Sequence, residues 1–389
     1  MKLIDSRRLT GPGLFLDRPG AVLDVAVDVG QRDRVAEAWR QAAGRLLRAV
    51  GWHGEMVVSR NFAAGLTLAL SAPADCLYAA TELNEAAWAA ALSELEGHPP
   101  AEAPVVERLN GLIREERNPG MAPLRRAAAE RGLTFLSGED QVSIGSGTGV
   151  ICWPADALPS PAAVDWSRVH DVPIVLVTGS NGKTTVVRLL AAIVSAAGVT
   201  PGTTSTDGVT AGSEFLVEGD FSGPSGARAV LRHSRVETAI LETARGGILR
   251  RGLAVERAEV AVITNIAADH LGEFGVESTG DLAETKLVIT RTLGRNGTAV
   301  LNADDRELVA RRGRVQAKVV WFSLDPANPV ISDHTAGGGQ AAVLQGDELV
   351  LHNGSERETL IGLSEVPIVF GGAAEHNVAN VLAAAAARG

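Results

Sequence analysis

Residues 178–185 read TGSNGKTT, set between the apolar stretch VPIVLV and the helical pattern VVRLLAAIVSAAG. Glycine, lysine and threonine in that order suit the cradling of phosphate. Gly179 and Gly182 let the backbone turn sharply and present its N–H groups to one point. A helix beginning near Lys183 adds the positive end of its dipole, about half a charge. From there the Lys183 ammonium can reach outer phosphates, and the Thr184 hydroxyl can ligate Mg²⁺. Gly179, Ser180, Asn181, Gly182, Lys183, Thr184 and Thr185 are therefore the candidate nucleotide-binding residues. Only two residues separate the glycines, where the usual phosphate-loop pattern has four, so a tight strand-to-helix turn is the plainer alternative.

Three further stretches bear on that choice. VETAILET brings Glu242 to the C-terminal end of a strand, the edge at which ligands bind in an open α/β sheet. A carboxylate there suits Mg²⁺ beside phosphates, and a surface acid is the bland alternative. AVITNIAADHLGEFG ends another strand with Asn265, Asp269 and His270 in a glycine-containing loop, a polar cluster where a substrate would sit. DLAETKLVITRTL places Lys286 on a helix, where composition alone reads it as a solvated position.

The elements that must position these residues follow from periodicity. VPIVLVTG, VETAILET, AEVAVITNI, GTAVLNAD and AKVVWFSL are near-continuous apolar strands separated by helical segments. Strands of that kind are buried on both faces, which predicts an α/β domain with a mostly parallel sheet wrapped by helices. QAAVLQGDELVLHN reads as a hairpin and EHNVANVLAAAAARG as a helix after it. Ahead of this domain the pattern is α+β: strands AVLDVAVDV and AAGLTLALSA, helices over 33–50 and 75–95, and a short helix closed by Gly132. LTFLSGEDQVSIGSGTGVICW predicts short strands, with GSGTG as a hairpin turn and not a dinucleotide loop.

At 389 residues the chain exceeds one ordinary core. Five of its six tryptophans precede residue 170, and a proline-rich stretch without apolar periodicity begins at Pro154. The expected division is a smaller α+β domain over 1–153, a linker over 154–173 and the phosphate-loop domain over 174–389. A net charge of -10 with no Lys/Arg block argues against nucleic acid as a partner. No apolar run nears the roughly 20 residues that span a bilayer, and no apolar segment follows the charged start, so the expected location is cytoplasmic. Cys76 and Cys152 lack metal-ligand spacing and read as core thiols. A homo-oligomer stays open.

In this order, TGSNGKTT, TNIAADHLG, ETK, VLNADD and EHNVAN resemble the central ATPase domain of the Mur ligases, a group that includes peptidoglycan-precursor ligases, folylpolyglutamate synthetases and cyanophycin synthetases. GDFSGPSGARAVL and LETARGGILRRGL are similar to the cyanophycin synthetase branch, and parts of the first 95 residues look like the N-terminal domain of that branch. The resemblance implies an ATP- and Mg²⁺-dependent ligase that joins a small-molecule or peptide carboxylate to an amino acid or amine through an acyl phosphate. It implies catalytic roles for Lys183, His270 and Lys286, and Mg²⁺ held through Thr184, Glu242, His270 and Lys286. In the family the lysine matching Lys286 is typically carbamylated, which makes it a carboxylate-like ligand. Asn377 matches a position near the adenine, and Asp304 one on the nucleotide side, where it could equally be a turn acid.

Two departures shape the expectation. Cyanophycin synthetases carry an ATP-grasp module between the N-terminal and Mur-like domains, and here the 154–173 stretch joins the two directly. Mur ligases also have a third domain after the HNVAN helix, and this sequence stops at Gly389. The expectation is thus a fragment or short form that grips ATP. The competing reading is a nucleotide-binding regulatory or degenerate module without ligase activity. A kinase or GTPase is less apt, because TNIAADH is not a guanine-reading motif.

Overall fold

The computed structural model describes residues 1–98, 101–269 and 271–387. The first part builds a sheet from β1 (Lys2–Leu9), β2 (Gly20–Ala26), β3 (Val57–Phe62) and β4 (Gly65–Ser71), all antiparallel in the order β1-β2-β4-β3. Helices α1 (Arg32–Ala49) and α2 (Leu77–Leu95) cover it, because β2 and β4 are buried along nearly their whole length. Asn84 of α2 is fully buried, yet its amide is satisfied. It accepts from Trp39 Nε1 at 2.9 Å and donates to Leu68 O at 3.1 Å. α3 (Glu102–Glu116) and α4 (Met121–Glu130) follow, then a small antiparallel sheet of β5 (Phe135–Leu136), β6 (Gln141–Ile144) and β7 (Ile151–Pro154). GSGTG lies in the β6–β7 hairpin loop, as expected. Cys76 is a buried thiol, but Cys152, on β7, is only partly covered and is not a core residue. In the 154–173 stretch, Val164 and Val169 are buried beside Leu124 and Ile144.

The second part is an eleven-stranded sheet. Its strands and helices run β8 (Ile174–Thr178), α5 (Lys183–Ala196), β9 (Pro201–Thr204), β10 (Gly208–Ala211), β11 (Glu214–Glu218), α6 (Pro224–Leu231), β12 (Thr238–Glu242), α7 (Arg245–Arg251) and β13 (Ala258–Ile263). They continue with α8 (Thr279–Leu287), β14 (Leu293–Asn302), α9 (Arg306–Ala310), β15 (Lys318–Ser323), α10 (Pro329–Ala336), β16 (Gln340–Gln345), β17 (Glu348–Asn353), β18 (Glu356–Gly362) and α11 (Glu375–Ala386). The centre, β9-β12-β8-β13-β14-β15-β16, is parallel, and antiparallel β10-β11 and β17-β18 extend its two edges. The apolar strand signal is explained by cores on both faces of this sheet. The strands at its β9 edge were not legible, because PGTT and GVTA lack an apolar run.

The two parts share hydrogen bonds to main-chain oxygens. Arg7 Nε donates to Leu249 O at 2.9 Å, Thr10 N to Arg251 O at 2.7 Å and Leu253 N to Pro12 O at 2.6 Å. Arg60 of β3 forms an ion pair with Asp281 of α8. The α+β part is thereby tied to α7 and α8, the helices beside the site. Among the described residues no helix is long and apolar enough to cross a membrane.

Candidate active site

Strand β8 pairs with β12 on one side and β13 on the other, so the chain leaves β8 with both neighbouring strand ends at hand. Gly179 has φ 152° and Gly182 φ 84°, both in the region that favours glycine. Space restricts them as well. A Cβ on Gly179 would run into Thr264 Oγ1, and one on Gly182 into Asn380 Oδ1, at under 3.0 Å.

The end of β13 staples the loop. Ser180 N donates to Asn265 O at 3.0 Å, and Asn181 N to Asn265 Oδ1 at 3.0 Å. Asn265 Nδ2 returns a bond to Asn181 O at 3.1 Å, and Ser180 Oγ donates to Ala267 O at 3.0 Å. This corrects the expectation that the whole loop offers its amides to phosphate. Those of Ser180 and Asn181 are spent on the protein. The donors that helix geometry leaves without intrahelical partners are those of the first turn of α5, from Lys183 onward. Lys183 Nζ folds back to Ser180 O at 3.1 Å, and Thr185 is half-buried in the same turn.

Beside that turn Thr184 Oγ1 donates to Glu242 Oε2 at 2.7 Å. Glu242 is 2% exposed, and its other oxygen, Oε1, is buried with no hydrogen-bond partner. Burial raises its pKa above the usual carboxylate range, against the Thr184 hydroxyl and the Lys183 ammonium. A buried acid with one idle oxygen next to a threonine hydroxyl is a donor set that fits a hard divalent cation. The surface-acid alternative for Glu242 fails. Among the described residues no group of three or more His, Cys, Asp or Glu could hold a metal, so this pair would need phosphate or water oxygens to complete a shell. His270 lies outside the described residues.

Lys286 is not the solvated helix position that composition suggests. It is 3% exposed, and burial lowers its pKa to about 7, with Lys183 and Arg245 adding repulsion and Asp269 opposing. Asp304 caps strand ends: Ser323 Oγ donates to it at 2.5 Å, Leu324 N at 2.8 Å and Asn328 Nδ2 at 2.9 Å. Asn377 Nδ2 donates to Ile368 O at 2.9 Å, which ties α11 to the segment before it. Asn380, one turn on, lies against the phosphate loop at Gly182. The reading of residues gave Asn377 the role in that helix and left Asn380 unassigned, and it missed Thr264 and Arg245. For Arg245 a signal existed: it stands three residues beyond Glu242 and directly opens a helix.

A parallel sheet whose central strand ends in a glycine loop and a helix start, with an acid on the adjoining strand, defines a P-loop α/β protein. A sequence profile of the Mur ligase middle domain matches residues 177–388, more than half of the chain. The chain belongs to the Mur ligase family. The cyanophycin synthetase of Synechocystis sp. is 44% identical over 213 residues, which are 55% of this chain and 24% of that protein. UDP-N-acetylmuramoyl-tripeptide–D-alanyl-D-alanine ligase of Escherichia coli is 32% identical over 228 residues, 57% of this chain and 44% of the ligase. Among solved structures, a UDP-N-acetylmuramoyl-L-alanyl-D-glutamate–2,6-diaminopimelate ligase matches 55% of this chain and 42% of its own at 22% identity and TM-score 0.41. The chain thus spans about a quarter of the length of the curated cyanophycin synthetases that it matches.

Proposed function

We propose that the chain serves an ATP-dependent ligase that joins a carboxylate substrate to an amino acid or amine. One carboxylate oxygen attacks the γ-phosphorus, the bond from that phosphorus to the β–γ bridging oxygen breaks, and ADP leaves with the electron pair. The amine nitrogen then attacks the acyl carbon. Phosphate departs with the C–O electron pair, and the nitrogen gives up a proton to leave the amide. Both steps bring anions or dipoles together, so positioning and charge neutralisation do most of the work.

The observation that carries this reading is the Thr184–Glu242 pair, with Glu242 Oε1 idle beneath the first turn of α5. Thr184 and Glu242 would hold Mg²⁺, which supplies positive charge to the phosphate oxygens. Lys183 turns from Ser180 O to the β- and γ-phosphates, and the first-turn amides of α5 hold the same oxygens. A pKa near 7 leaves a large share of Lys286 as free amine at neutral pH, the form that adds CO₂, and its burial protects a carbamate from solvent. Resemblance to the family favours that modification. Asn377 and Asp304, both engaged with main chain, are proposed to border the nucleotide by orienting the segments they tie.

Calorimetry with ATP, with and without Mg²⁺, tests the nucleotide site. Phosphate release across a panel of amino acids and acidic peptides tests the ligation. The expected result is Mg²⁺-dependent binding, and phosphate release that rises when a matching acid and amine are both present. No Mg²⁺-dependent nucleotide binding would overturn the reading.

A further inference from the structure

Arg245 has no part in the chemistry described so far, yet its placement is specific. It is the first residue of α7, and its side chain is 10% exposed. Nη2 donates to Glu273 Oε2 at 2.5 Å, whereas Nη1 is buried without a hydrogen-bond partner among the described residues. Leaving a charged donor buried and idle is costly, so an idle guanidinium edge points to an absent anion.

Three features say where that anion comes from. Helices α7 and α8 pack through Leu249 and Leu282. Arg245 lies four residues before Leu249 and Lys286 four after Leu282, so each stands one turn along the packed face of its helix. Lys286 also feels the charge of Arg245, which sets both at one end of the pair. On its other side, the chain neighbours Ala244 and Gly246 line a cleft of about 940 Å³ between α7 and the α+β part. Beside Gly246 there is open space. Arg245 therefore adjoins a roomy cleft through its chain neighbours and stands within charge reach of Lys286, which also feels Lys183 of the phosphate loop.

We propose that Arg245 Nη1 receives the carboxylate of the acid substrate and holds it for attack on the γ-phosphate. This assignment rests on the ligase reading above. Lys183 and the Mg²⁺ ligands serve the phosphates, and a carboxylate approaching a triphosphate needs its own fixed cation. A guanidinium suits it: planar, always charged, with one edge committed to Glu273 and the other free. Glu273 is largely exposed, so water screens its charge and Arg245 retains its attraction.

Acetate, the simplest methyl carboxylate, is the probe, titrated by thermal shift onto the complex with ADP, Mg²⁺ and aluminium fluoride. In the wild type acetate should raise the unfolding temperature of that complex in a saturable way. Arg245→Gln should weaken the apparent acetate affinity tenfold or more. Glu273→Gln, which breaks the ion pair and leaves the guanidinium, should keep the response. A crystal of the wild-type complex should show the acetate against Nη1. A nucleotide complex without an acetate response, or with the same response in Arg245→Gln, overturns this assignment and leaves the nucleotide site standing. Equal loss in Glu273→Gln overturns it too, because the effect would then belong to the loop and not to the cation. A wild type that binds no nucleotide overturns both.

Discussion

The side-chain amide of Asn380 occupies the space that a Cβ on Gly182 would need, so helix α11 is pressed against the phosphate loop from nearly 200 residues along the chain. The loop is shaped by its own torsions and by that contact together.

Gly182→Ala should therefore suffer twice. A left-handed φ of 84° strains an alanine by about 1–2 kcal/mol, and the clash with Asn380 adds to it. We expect a lower unfolding temperature and markedly weaker ATP·Mg²⁺ binding. Adding Asn380→Gly should relieve the clash but not the strain, so the double variant should recover part of the stability. If the single variant melts and binds like the wild type, the loop does not depend on this approach.

Lys183→Ala removes the one side-chain cation of the loop. By analogy with deleting one electrostatic donor, the rate should fall roughly 10²–10³-fold, with weaker nucleotide binding by calorimetry. Wild-type turnover in this variant would demote the loop to a turn.

Glu242→Gln separates stability from function. The buried Glu242 carboxyl titrates above its unfolded counterpart, so between those two pKa values the folded state holds the extra proton. Stability is full at the acid end of that window and is lost as pH rises through the folded value. Above that window the metal-free wild type thus carries a buried charge that glutamine lacks, and the comparison is made there. Glu242→Gln should unfold at a higher temperature without Mg²⁺ and should lose the added stabilisation by ATP·Mg²⁺. A variant that is still stabilised as strongly as wild type would remove Glu242 from the metal site.

Lys286 gives the opposite sign. Its folded pKa is about 7 against an ordinary 10.5, so between these values the unfolded chain holds the extra proton and stability rises with pH. In carbonate-free buffer the wild type should gain on Lys286→Met from pH 7 to 9.5, by at most ~1.4 kcal/mol per pH unit. Parallel denaturation curves across that range would show that the lysine is not buried as a free amine.

The carbamate has its own test. Lys286→Ala should be inactive and partly rescued by short carboxylates, whereas Lys286→Arg should stay inactive. Bicarbonate should raise wild-type activity only. Full activity in Lys286→Arg would leave the lysine a helix cation.

Much of this was legible in consecutive residues. The strand VPIVLV, the glycines at 179 and 182 and the helix pattern after them are local facts, because burial on both faces and a left-handed turn demand residue types within a few positions. The acid at the end of the neighbouring strand was legible for the same reason: parallel strands place their C-terminal ends on one edge. What only the tertiary structure decided lies between distant residues. Asn265 consumes two loop amides that the motif alone would offer to phosphate. Lys286 is buried because α8 lies under α7 and is anchored at its start by Arg60, which periodicity on a nine-residue helix does not encode. The idle edges of Glu242 and Arg245, like those of Arg7 and Arg228, are defined only by which partners the folded chain brings to each side chain. A hydrogen-bond inventory belongs to the folded chain, since a side chain's partners are set by packing across the sheet and not by its neighbours in sequence.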